Sequence, residues 1–357
     1  MDDNISIFEG PVCPAPLSHH DTIVLGHGSG GLMTHNLIKH VFKSAFSNPM
    51  IDAGNDFANA PLPETLTKGR LSISTDSHII SPIFFPGGDI GKLAVCGTVN
   101  DMSMSGSTPL YLTASFILEE GLPIKELEII VNSMQKAAEE ANVAIIAGDT
   151  KVVEKGKGDK IFISTTGVGW LSDHKKIGGE MAQPGDAILI SGDIGDHGIA
   201  VLSARGDLGF QTDLKSDVAP LNHLIQSLVN KIPNIHVLRD PTRGGLATTL
   251  NEIAKQSSVG MLIKEELIPV KPVVQNACEM LGFDPLYVAN EGKVIVILPH
   301  EFKEKAIEIM QQNQYGGKTA YIGDVVSNHP GHVVLQTIFG TTRMLEMMAG
   351  EMLPRIC

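Results

Sequence analysis

The stretch at residues 74–106, STDSHIISPIFFPGGDIGKLAVCGTVNDMSMSG, decides the fold. Its start continues the run LSIST, which predicts a strand that ends at Asp76. Its second half, from Ile90 onward, has the apolar spacing of a helix and carries Asp101. A strand and a helix that each bring a carboxylate to their end indicate a site in an α/β protein.

Outward from this stretch, the same rhythm of strands and helices continues through the chain. Strands are predicted at 23–25, 109–118, 143–148, 159–171, 187–192, 294–299, 319–326 and 332–340. Helices are predicted at 32–46, 124–141, 197–205, 220–230, 243–257 and 301–313. The polar stretch SDHKKIGGEMAQPGD, at 172–186, separates two halves of similar length. The pattern predicts a two-domain protein with mixed helices and strands.

Composition excludes several classes of function. The 357 residues carry a formal net charge of -13 and no long Lys/Arg run, which argues against a nucleic-acid partner. No apolar run approaches a membrane span and no signal peptide is visible, so we expect a cytoplasmic protein without a membrane partner. Cys13, Cys96, Cys278 and Cys357 form no C-x-x-C pair, so neither a zinc knuckle nor a disulfide framework is indicated.

A glycine-rich loop precedes the first predicted helix. GHGSGG, at 26–31, includes Gly28, Ser29, Gly30 and Gly31. Backbone amides in such a loop can converge on a phosphate at a helix N-terminus, but an ordinary tight turn has the same composition. Both interpretations stay open on the loop alone.

Acidic and basic residues recur at the ends of predicted elements. Asp76, Asp101, Asp149 and Asp240 suit Mg²⁺ that bridges to a nucleotide, although each alone could be a helix cap or a turn residue. The basic neighbours Lys151, Arg243 and Lys293 could neutralise a transferred phosphoryl group or form salt bridges. Glu291, directly before an apolar strand, is a candidate general base or a strand-end charge.

Taken together, GHGSGG, the opening stretch, FILEEGLP, AGDTKVV, GDHG, RDPTRGG, ANEGK and the terminal PRIC resemble the HypE family of hydrogenase expression/formation proteins over residues 21–357. That family is grouped with aminoimidazole ribonucleotide synthetase, selenophosphate synthetase and thiamine-monophosphate kinase. The resemblance implies an α+β (α/β sandwich), two-domain PurM-like fold. Its expected parts are an extension at 1–20, an ATP-binding and dimerisation domain at 21–172, an α/β domain at 173–345 and a mobile tail at 346–357.

The resemblance also implies a set of site residues. Catalytic roles fall to Cys357, Glu291 and Lys151, and Mg²⁺ would be held by Asp76, Asp101 and Asp149. The ATP-binding positions are Gly28, Ser29, Gly30, Gly31, Asn100, Thr150, Asp240, Arg243, Gly244 and Gly245.

The activity implied by the resemblance is dehydration of a carbamoylated Cys357 to a thiocyanate, which supplies the cyanide ligand of the [NiFe] hydrogenase centre. The implied partners are a second copy of the chain, a HypF-type carbamoyltransferase that loads the thiol, and the iron-carrying HypC–HypD complex. We expect Glu291 to be the first base and Lys151 to orient or stabilise charge, because carboxylates near a lysine favour its charged form. No core contact is expected from the tail.

Two alternatives differ in function. Another ATP-dependent member of the superfamily would give the terminal cysteine no role, and the Cys13 context PVCPAP does not suit selenophosphate synthetase. A binding module without catalysis would only present its tail to partners.

Overall fold

The computed structural model describes residues 21–29, 31–52, 60–64, 68–172, 176–206, 212–347 and Ile356. The predicted extension at 1–20, Gly30 and Cys357 lie outside the described residues. So does the stretch 348–355 of the predicted tail.

The N-terminal half is built on a four-stranded sheet. Its helices are α1 (Leu32–Leu37), α2 (Lys43–Phe46), α3 (Pro49–Asp52), α4 (Ile90–Met104) and α5 (Ile124–Ala141), with a π-helical turn at Ile38–Phe42 between α1 and α2. Its strands are β1 (Gly69–His78), β2 (Phe84–Phe85), β3 (Gly88–Asp89), β4 (Thr108–Glu119), β5 (Ala144–Val153) and β6 (Ile161–Ser172). The sheet order is β1-β6-β4-β5, and only β4 and β5 run parallel within it.

In the part of the chain that the structure describes, helices cover one face of this sheet. Residues of β6 alternate strictly between buried and half-buried, as expected for a sheet with one packed face. Helix α4 lies against β1, β4 and β6, and it is buried almost all round because elements of the C-terminal half pack on its other side. Among the described residues, no helix packs on the second face, which is called here the open face.

The C-terminal half is built on a seven-stranded sheet. Its helices are α6 (Asp196–Arg205), α7 (Asn222–Val229), α8 (Gly245–Ser257), α9 (Pro272–Leu281) and α10 (Lys303–Gln311). Its strands are β7 (Asp186–Ile190), β8 (Val237–Arg239), β9 (Gly260–Lys264), β10 (Ile295–Pro299), β11 (Ala320–Val326), β12 (Val333–Gln336) and β13 (Thr342–Leu345). The order is β13-β12-β9-β11-β7-β10-β8, with β9 and β12 parallel.

Buried side-chain amides connect the two halves. Asn100 on α4 donates from Nδ2 to the Ala219 carbonyl at 3.0 Å and accepts the Leu221 amide at 2.7 Å. Asn222 donates to the Ala141 carbonyl at 2.8 Å. Because a buried amide that loses its partners is costly, these bonds fix how α4 sits against the second half.

Most predicted elements are confirmed, with three kinds of correction. The strand predicted at 23–25 is wrong, since Leu25–Gly28 forms a 3₁₀ turn and only Thr22 makes an isolated bridge. Asp76 and Asp149 lie inside β1 and β5 and do not follow them, because backbone pairing continues past each carboxylate. The prediction omitted β8, β9, α9 and β13. In the described part of the chain, no helix is long and apolar enough to cross a membrane.

Candidate active site

The predicted site residues fall into two groups on the N-terminal sheet. One group surrounds β1 and α4, and the other surrounds β5 and the glycine loop. Asp76 pairs with Thr165, Thr165 with Ala114, and Ala114 with Gly148, so three inter-strand steps, roughly 14 Å, separate the backbones of the two groups. A single protomer does not bring Asp149 next to Asp76.

Part of the first group, including Asp101, Asp240 and Arg243, lines a polar cleft of about 640 Å³, called here the acidic cleft. Its polar walls come from both halves of the chain: Ser72, Ser74, Asp101, Arg239, Asp240, Arg243 and Glu252. Strand β1 and helix α4 supply one wall, and the end of β8 with the start of α8 supplies the other. A volume of this size and a polar lining suit a phosphate-bearing ligand.

Asp76 and Asp101 are held by different partners within β1 and α4. Ser74 Oγ donates to Asp101 Oδ2 at 2.9 Å, and His78 Nε2 lies 3.2 Å from Asp76 Oδ2. Burial alone would raise the pKa of Asp76, but the hydrogen bond and charge of His78 and the amide of Ser77 bring it below its ordinary value. Burial raises the pKa of Asp101, and the charge of Asp76 adds to this shift.

Asp240 stands directly after β8, where the chain turns toward α8. Burial and the charge of Asp101 raise the pKa of Asp240 to about 7. The following turn uses Gly244 and Gly245 at φ +75° and +61°, and a Cβ on Gly245 would lie 2.6 Å from the Leu286 carbonyl oxygen. This backbone conformation requires glycine at both positions. Arg243, directly before them, is exposed at the edge of the cleft.

Glu291 is a buried carboxyl group without a hydrogen-bond partner for Oε1 among the described residues. It is 5% exposed, and its loop is fixed by Asp217, whose carboxylate accepts the amides of Glu291 at 3.1 Å and Gly292 at 3.2 Å. Burial raises the pKa of Glu291 well above its ordinary value, and the charges of Asp240 and Asp217 add to the effect. An acceptor of this kind is suited to proton transfer once deprotonated.

The carboxylates of this group are of the type that binds divalent cations, but the described residues do not form a complete set of metal ligands. The charge of Asp101 raises the pKa of Asp240, and the charges of both raise the pKa of Glu291, so negative charge here lacks full compensation. The Glu291 Oε1 atom has no hydrogen-bond partner among the described residues. Among the described residues, no three acidic, histidine or cysteine side chains already form a metal cluster. This suits Mg²⁺, which typically takes one or two carboxylates together with phosphate and water.

The second group forms a smaller pocket of about 240 Å³ beside the glycine loop. Gly28 packs against β5, where an added Cβ would lie 2.8 Å from the Val152 nitrogen. Asp149 and Thr150 line the pocket with Lys151, whose Nζ donates to both Asp149 oxygens at 2.8 and 2.9 Å. This hydrogen bond lowers the pKa of Asp149.

Two further positions of the glycine loop have local backbone roles. Ser29 Oγ donates to the Gly26 carbonyl at 2.9 Å, and Gly31 is the residue before the first turn of α1. Asn100, predicted to bind the nucleotide, bonds its amide to the backbone at 219 and 221.

The C-terminal end of the chain reaches the interior beside the Glu291 loop. Ile356 is 3% exposed and belongs to the same apolar cluster as Val218 and Ala289. Its carbonyl lies 2.7 Å from Nε2 of the fully buried His197. The expectation that the tail makes no core contact is therefore wrong at Ile356. Burial of this isoleucine side chain is favourable because it removes apolar surface from water.

Sequence reasoning missed the residues that link this anchor to Glu291. Ser216 bonds His197, and its neighbour Asp217 bonds the Glu291 loop and forms an ion pair with Lys293 at 2.9 Å. His197 lies in GDHG, a stretch whose pattern does not indicate a contact with the chain end. The stretch KSDVA, at 215–219, has no glycine, no motif and no periodicity, so it offered no signal.

Comparisons with known proteins agree with this fold. The family model for the N-terminal domain of AIR synthase related proteins matches residues 59–171, and the model for their C-terminal domain matches residues 183–336. The chain thus has the domain pair of AIR synthase-related proteins.

More specific relatives share nearly the whole chain. Carbamoyl dehydratase HypE of Azotobacter vinelandii is 52% identical over 94% of this chain and 97% of its own length. A crystal structure of hydrogenase maturation protein HypE in complex with ATP matches with a TM-score of 0.89 and 52% identity, over 94% of this chain and all of that one. A HypE–HypF complex structure matches with a TM-score of 0.76 and 52% identity, over 87% of this chain and 99% of that one. The chain belongs to the HypE family of carbamoyl dehydratases, which act in hydrogenase maturation.

Proposed function

We propose that the chain carries a carbamoyl group on the thiol of Cys357 and uses ATP to dehydrate it to a thiocyanate. The observation that carries this proposal is the burial of Ile356, the residue before that thiol, beside the loop that bears the unpartnered carboxyl group of Glu291. A terminal residue anchored next to a buried proton acceptor suits an enzyme that acts on its own end. The ATP complex of a HypE relative supports ATP as the co-substrate.

The reaction needs a leaving group better than hydroxide. In the proposed scheme, the amide oxygen of the thiocarboxamide forms a bond to the γ-phosphorus of ATP, and the bond to the β-phosphate oxygen breaks to release ADP. One N–H proton leaves during this step, which gives an iminophosphate. Loss of the second N–H proton then breaks the C–O bond, releases phosphate and leaves S–C≡N. ADP, phosphate and the protons account for the water that is lost.

Glu291 is proposed as the acceptor of the first N–H proton. A carboxylate whose pKa is raised by burial is a stronger base than one in water, provided that it has lost its proton. Lys151 is proposed to stabilise charge on the transferred phosphoryl group. Since Lys151 lies on β5 and Glu291 on the far side of the sheet from it, we propose that a second copy of the chain supplies Lys151 to this site.

Nucleotide binding is proposed for the acidic cleft together with the glycine loop. Asp76, Asp101 and Asp240 would hold Mg²⁺, with Asp149 contributed by the second copy, and the ion would screen phosphate charge when bound. Arg243, which lines this cleft, is proposed to bind a phosphate oxygen. Gly28, Ser29, Gly31, Thr150 and Asn100 remain predicted nucleotide positions, as do Gly244 and Gly245.

The function is tested by intact mass on the full chain. Carbamoylated protein incubated with MgATP is expected to lose the mass of one water from the C-terminal peptide, whereas Cys357→Ala accepts no carbamoyl group and shows no loss. Cys278→Ala is the matched control, since Cys278 is buried in another cluster. Water loss located on another cysteine would contradict the proposal, and ATP turnover that ignores carbamoylation would favour another member of the superfamily.

We further propose that the chain is a homodimer joined through the open face of the N-terminal sheet. That face carries large apolar side chains that are exposed in the single chain, with Leu71 at 52%, Ile73 at 65% and Ile117 at 42% exposure. Several such residues on one face of a sheet are typical of a contact surface. Packing two such faces would bury them and bring β5 of one copy toward the other copy.

Ile73→Asp is expected to convert the dimer to a monomer. A carboxylate buried in the apolar interface would weaken dimerisation by roughly 100-fold or more, measured by sedimentation velocity. Ile129→Asp is the matched control, because Ile129 is 54% exposed on α5, away from the open face. If Ile73→Asp stays dimeric, the interface lies elsewhere. A monomer with the normal dehydration rate would show that one copy contains the complete site.

Partners are proposed from the same chemistry. A HypF-type carbamoyltransferase would load the thiol, in line with the HypE–HypF complex known for a relative. The thiocyanate would then pass its cyano group to iron on a HypC–HypD complex. A thiol on the last residue suits both transfers, since little backbone has to move, and we propose that they take place in the cytoplasm.

A further inference from the structure

His197 holds the backbone of Ile356 rather than its side chain. Nε2 of His197 lies 2.7 Å from the Ile356 carbonyl oxygen, and the ring is fully buried. Phe85 packs edge-on against this ring at a centroid distance of 5.5 Å. The contact is therefore a buried hydrogen bond inside an apolar wall, where water cannot replace it.

The hydrogen-bond network fixes the tautomer of the ring. The Ile356 carbonyl can only accept, so Nε2 must carry a proton. The Val218 amide donates to Ser216 Oγ at 3.1 Å, and Ser216 Oγ lies 2.8 Å from Nδ1. The single Ser216 hydroxyl proton is thus free to point at Nδ1, which accepts it. Burial lowers the pKa of His197, against the opposing charge of Asp217, and favours this neutral form.

The segment that orients His197 also orients the proposed base. The Ser216 hydroxyl donates to Nδ1 of the ring, Asp217 accepts the Glu291 and Gly292 amides, and the Ala219 amide donates to the Glu291 carbonyl at 3.4 Å. Four consecutive residues, 216–219, therefore connect the anchor of the chain end to the loop that carries Glu291. A shift of one would move the other.

We propose that His197 is a positioning residue that docks the C-terminal end of the chain for catalysis, with Ser216 setting its tautomer. The inference rests on the proposed function, since it gives a purpose to the docked end. The carbonyl that His197 binds belongs to the peptide bond to Cys357, so it fixes the point from which the last residue extends. Because His197 bonds to a backbone carbonyl and not to the thiol, it holds the chain end equally whether the sulfur is free, carbamoylated or cyanated.

Three variants of the full chain separate the hydrogen bond from packing. His197→Phe keeps a ring beside Phe85 but removes the donor, His197→Gln places an amide donor near the position of Nε2, and Ser216→Ala removes the hydroxyl that donates to Nδ1. The first readout is the alkylation rate of Cys357 in uncarbamoylated protein, followed on the C-terminal peptide with iodoacetamide. Buried Cys96 and Cys278 serve as internal controls for folding.

His197→Phe should raise the Cys357 alkylation rate about five- to tenfold, the effect of losing one buried hydrogen bond, and His197→Gln should restore most of the protection. In carbamoylated protein, the dehydration rate should fall by a similar factor while ATP affinity is unchanged. An unchanged alkylation rate in a folded His197→Phe protein would overturn the proposal. So would equal rates for His197→Phe and His197→Gln.

A measurement on the unmodified ring covers the case in which His197→Phe fails to fold. In ¹⁵N-histidine-labelled protein, His197 should show a protonated Nε2 and an unprotonated Nδ1, and its signals should shift in a chain that ends at residue 355. Signals that do not respond to removal of the last two residues would overturn the docking. Alkylation and NMR need no turnover, so docking without dehydration would contradict the proposed function alone.

Discussion

Glu291→Gln is expected to lower the rate of dehydration by about 10²–10⁴-fold and to leave ATP binding nearly unchanged, because general-base catalysis typically contributes that much. Glutamine has the shape of glutamate but cannot take up the amide proton. The carboxyl group it replaces is 5% exposed, with Oε1 unpartnered among the described residues. The loss should therefore appear in kcat, with little change in the affinity for the nucleotide.

The same substitution should not destabilise the protein. The pKa of Glu291 is raised in the folded state, so the folded state binds the proton more tightly than the unfolded chain does. The charged carboxylate consequently opposes folding once the pH exceeds its unfolded pKa, and a neutral amide removes that cost. The melting temperature of Glu291→Gln at neutral pH is expected to equal or exceed that of the wild-type chain, which separates lost chemistry from lost folding.

A control carboxylate is available in the acidic cleft. Glu252 lines the acidic cleft and is paired with Arg239 at 2.6 Å, but it is partly exposed. Glu252→Gln should keep most of the dehydration rate, measured in single turnover by intact mass on carbamoylated protein. A Glu291→Gln protein that loses water at the wild-type rate would remove Glu291 from the mechanism.

The fold could be predicted from sequence wherever one face of an element is buried. Helix α5 shows its apolar stripe at Leu127, Ile130, Val131 and Met134, and β6 shows its alternation, so both were found close to their observed bounds. Short strands such as β8, with three residues, carry too little pattern to be recognised. The fully buried elements of the second half were found only where the apolar run was long.

The site could be predicted as a set of residues but not as an arrangement. The order of the motifs predicts Asp76, Asp149 and Glu291 as site residues. It does not predict the strand order β1-β6-β4-β5, which separates Asp149 from Asp76 by three strands. Strand order depends on contacts distant in sequence, which periodicity does not report. Asp217 was missed for a related reason, since its role comes from a loop that lies 74 residues further along the chain.

Asp217→Asn is expected to lower the free energy of unfolding by about 3–5 kcal/mol, because it removes the charge of one partner in a buried ion pair. The side chains of Asp217 and Lys293 are only 3% and 11% exposed, and their charged atoms are 2.9 Å apart. Asp217 also accepts the amides of Glu291 and Gly292. An asparagine would leave the Lys293 ammonium buried without a counter-charge. The side-chain amide of that asparagine would face the ammonium.

The pH dependence of this loss follows from the sign of the shift. Burial alone would raise the pKa of Asp217, but the charge of Lys293 and the hydrogen bonds that Asp217 accepts bring it below its ordinary value. A lowered carboxyl pKa stabilises the folded state above the unfolded pKa, near 4, and this contribution disappears as the pH falls through the folded value. The difference between wild type and Asp217→Asn should therefore be full at pH 7 and shrink in acid.

A double variant separates the ion pair from the hydrogen bonds to the Glu291 loop. Asp217→Asn with Lys293→Met removes both charges, so it should recover a large part of the stability that Asp217→Asn loses, measured by urea unfolding. Glu126→Gln is the control, because Glu126 meets Lys160 at 3.5 Å on the surface and its loss should cost no more than about 1 kcal/mol. If Asp217→Asn unfolds no more easily than Glu126→Gln, the pair does not hold the loop. If the double variant regains stability but still dehydrates slowly, the position of Glu291 depends on the hydrogen bonds that Asp217 accepts from the loop and not on the charge pair.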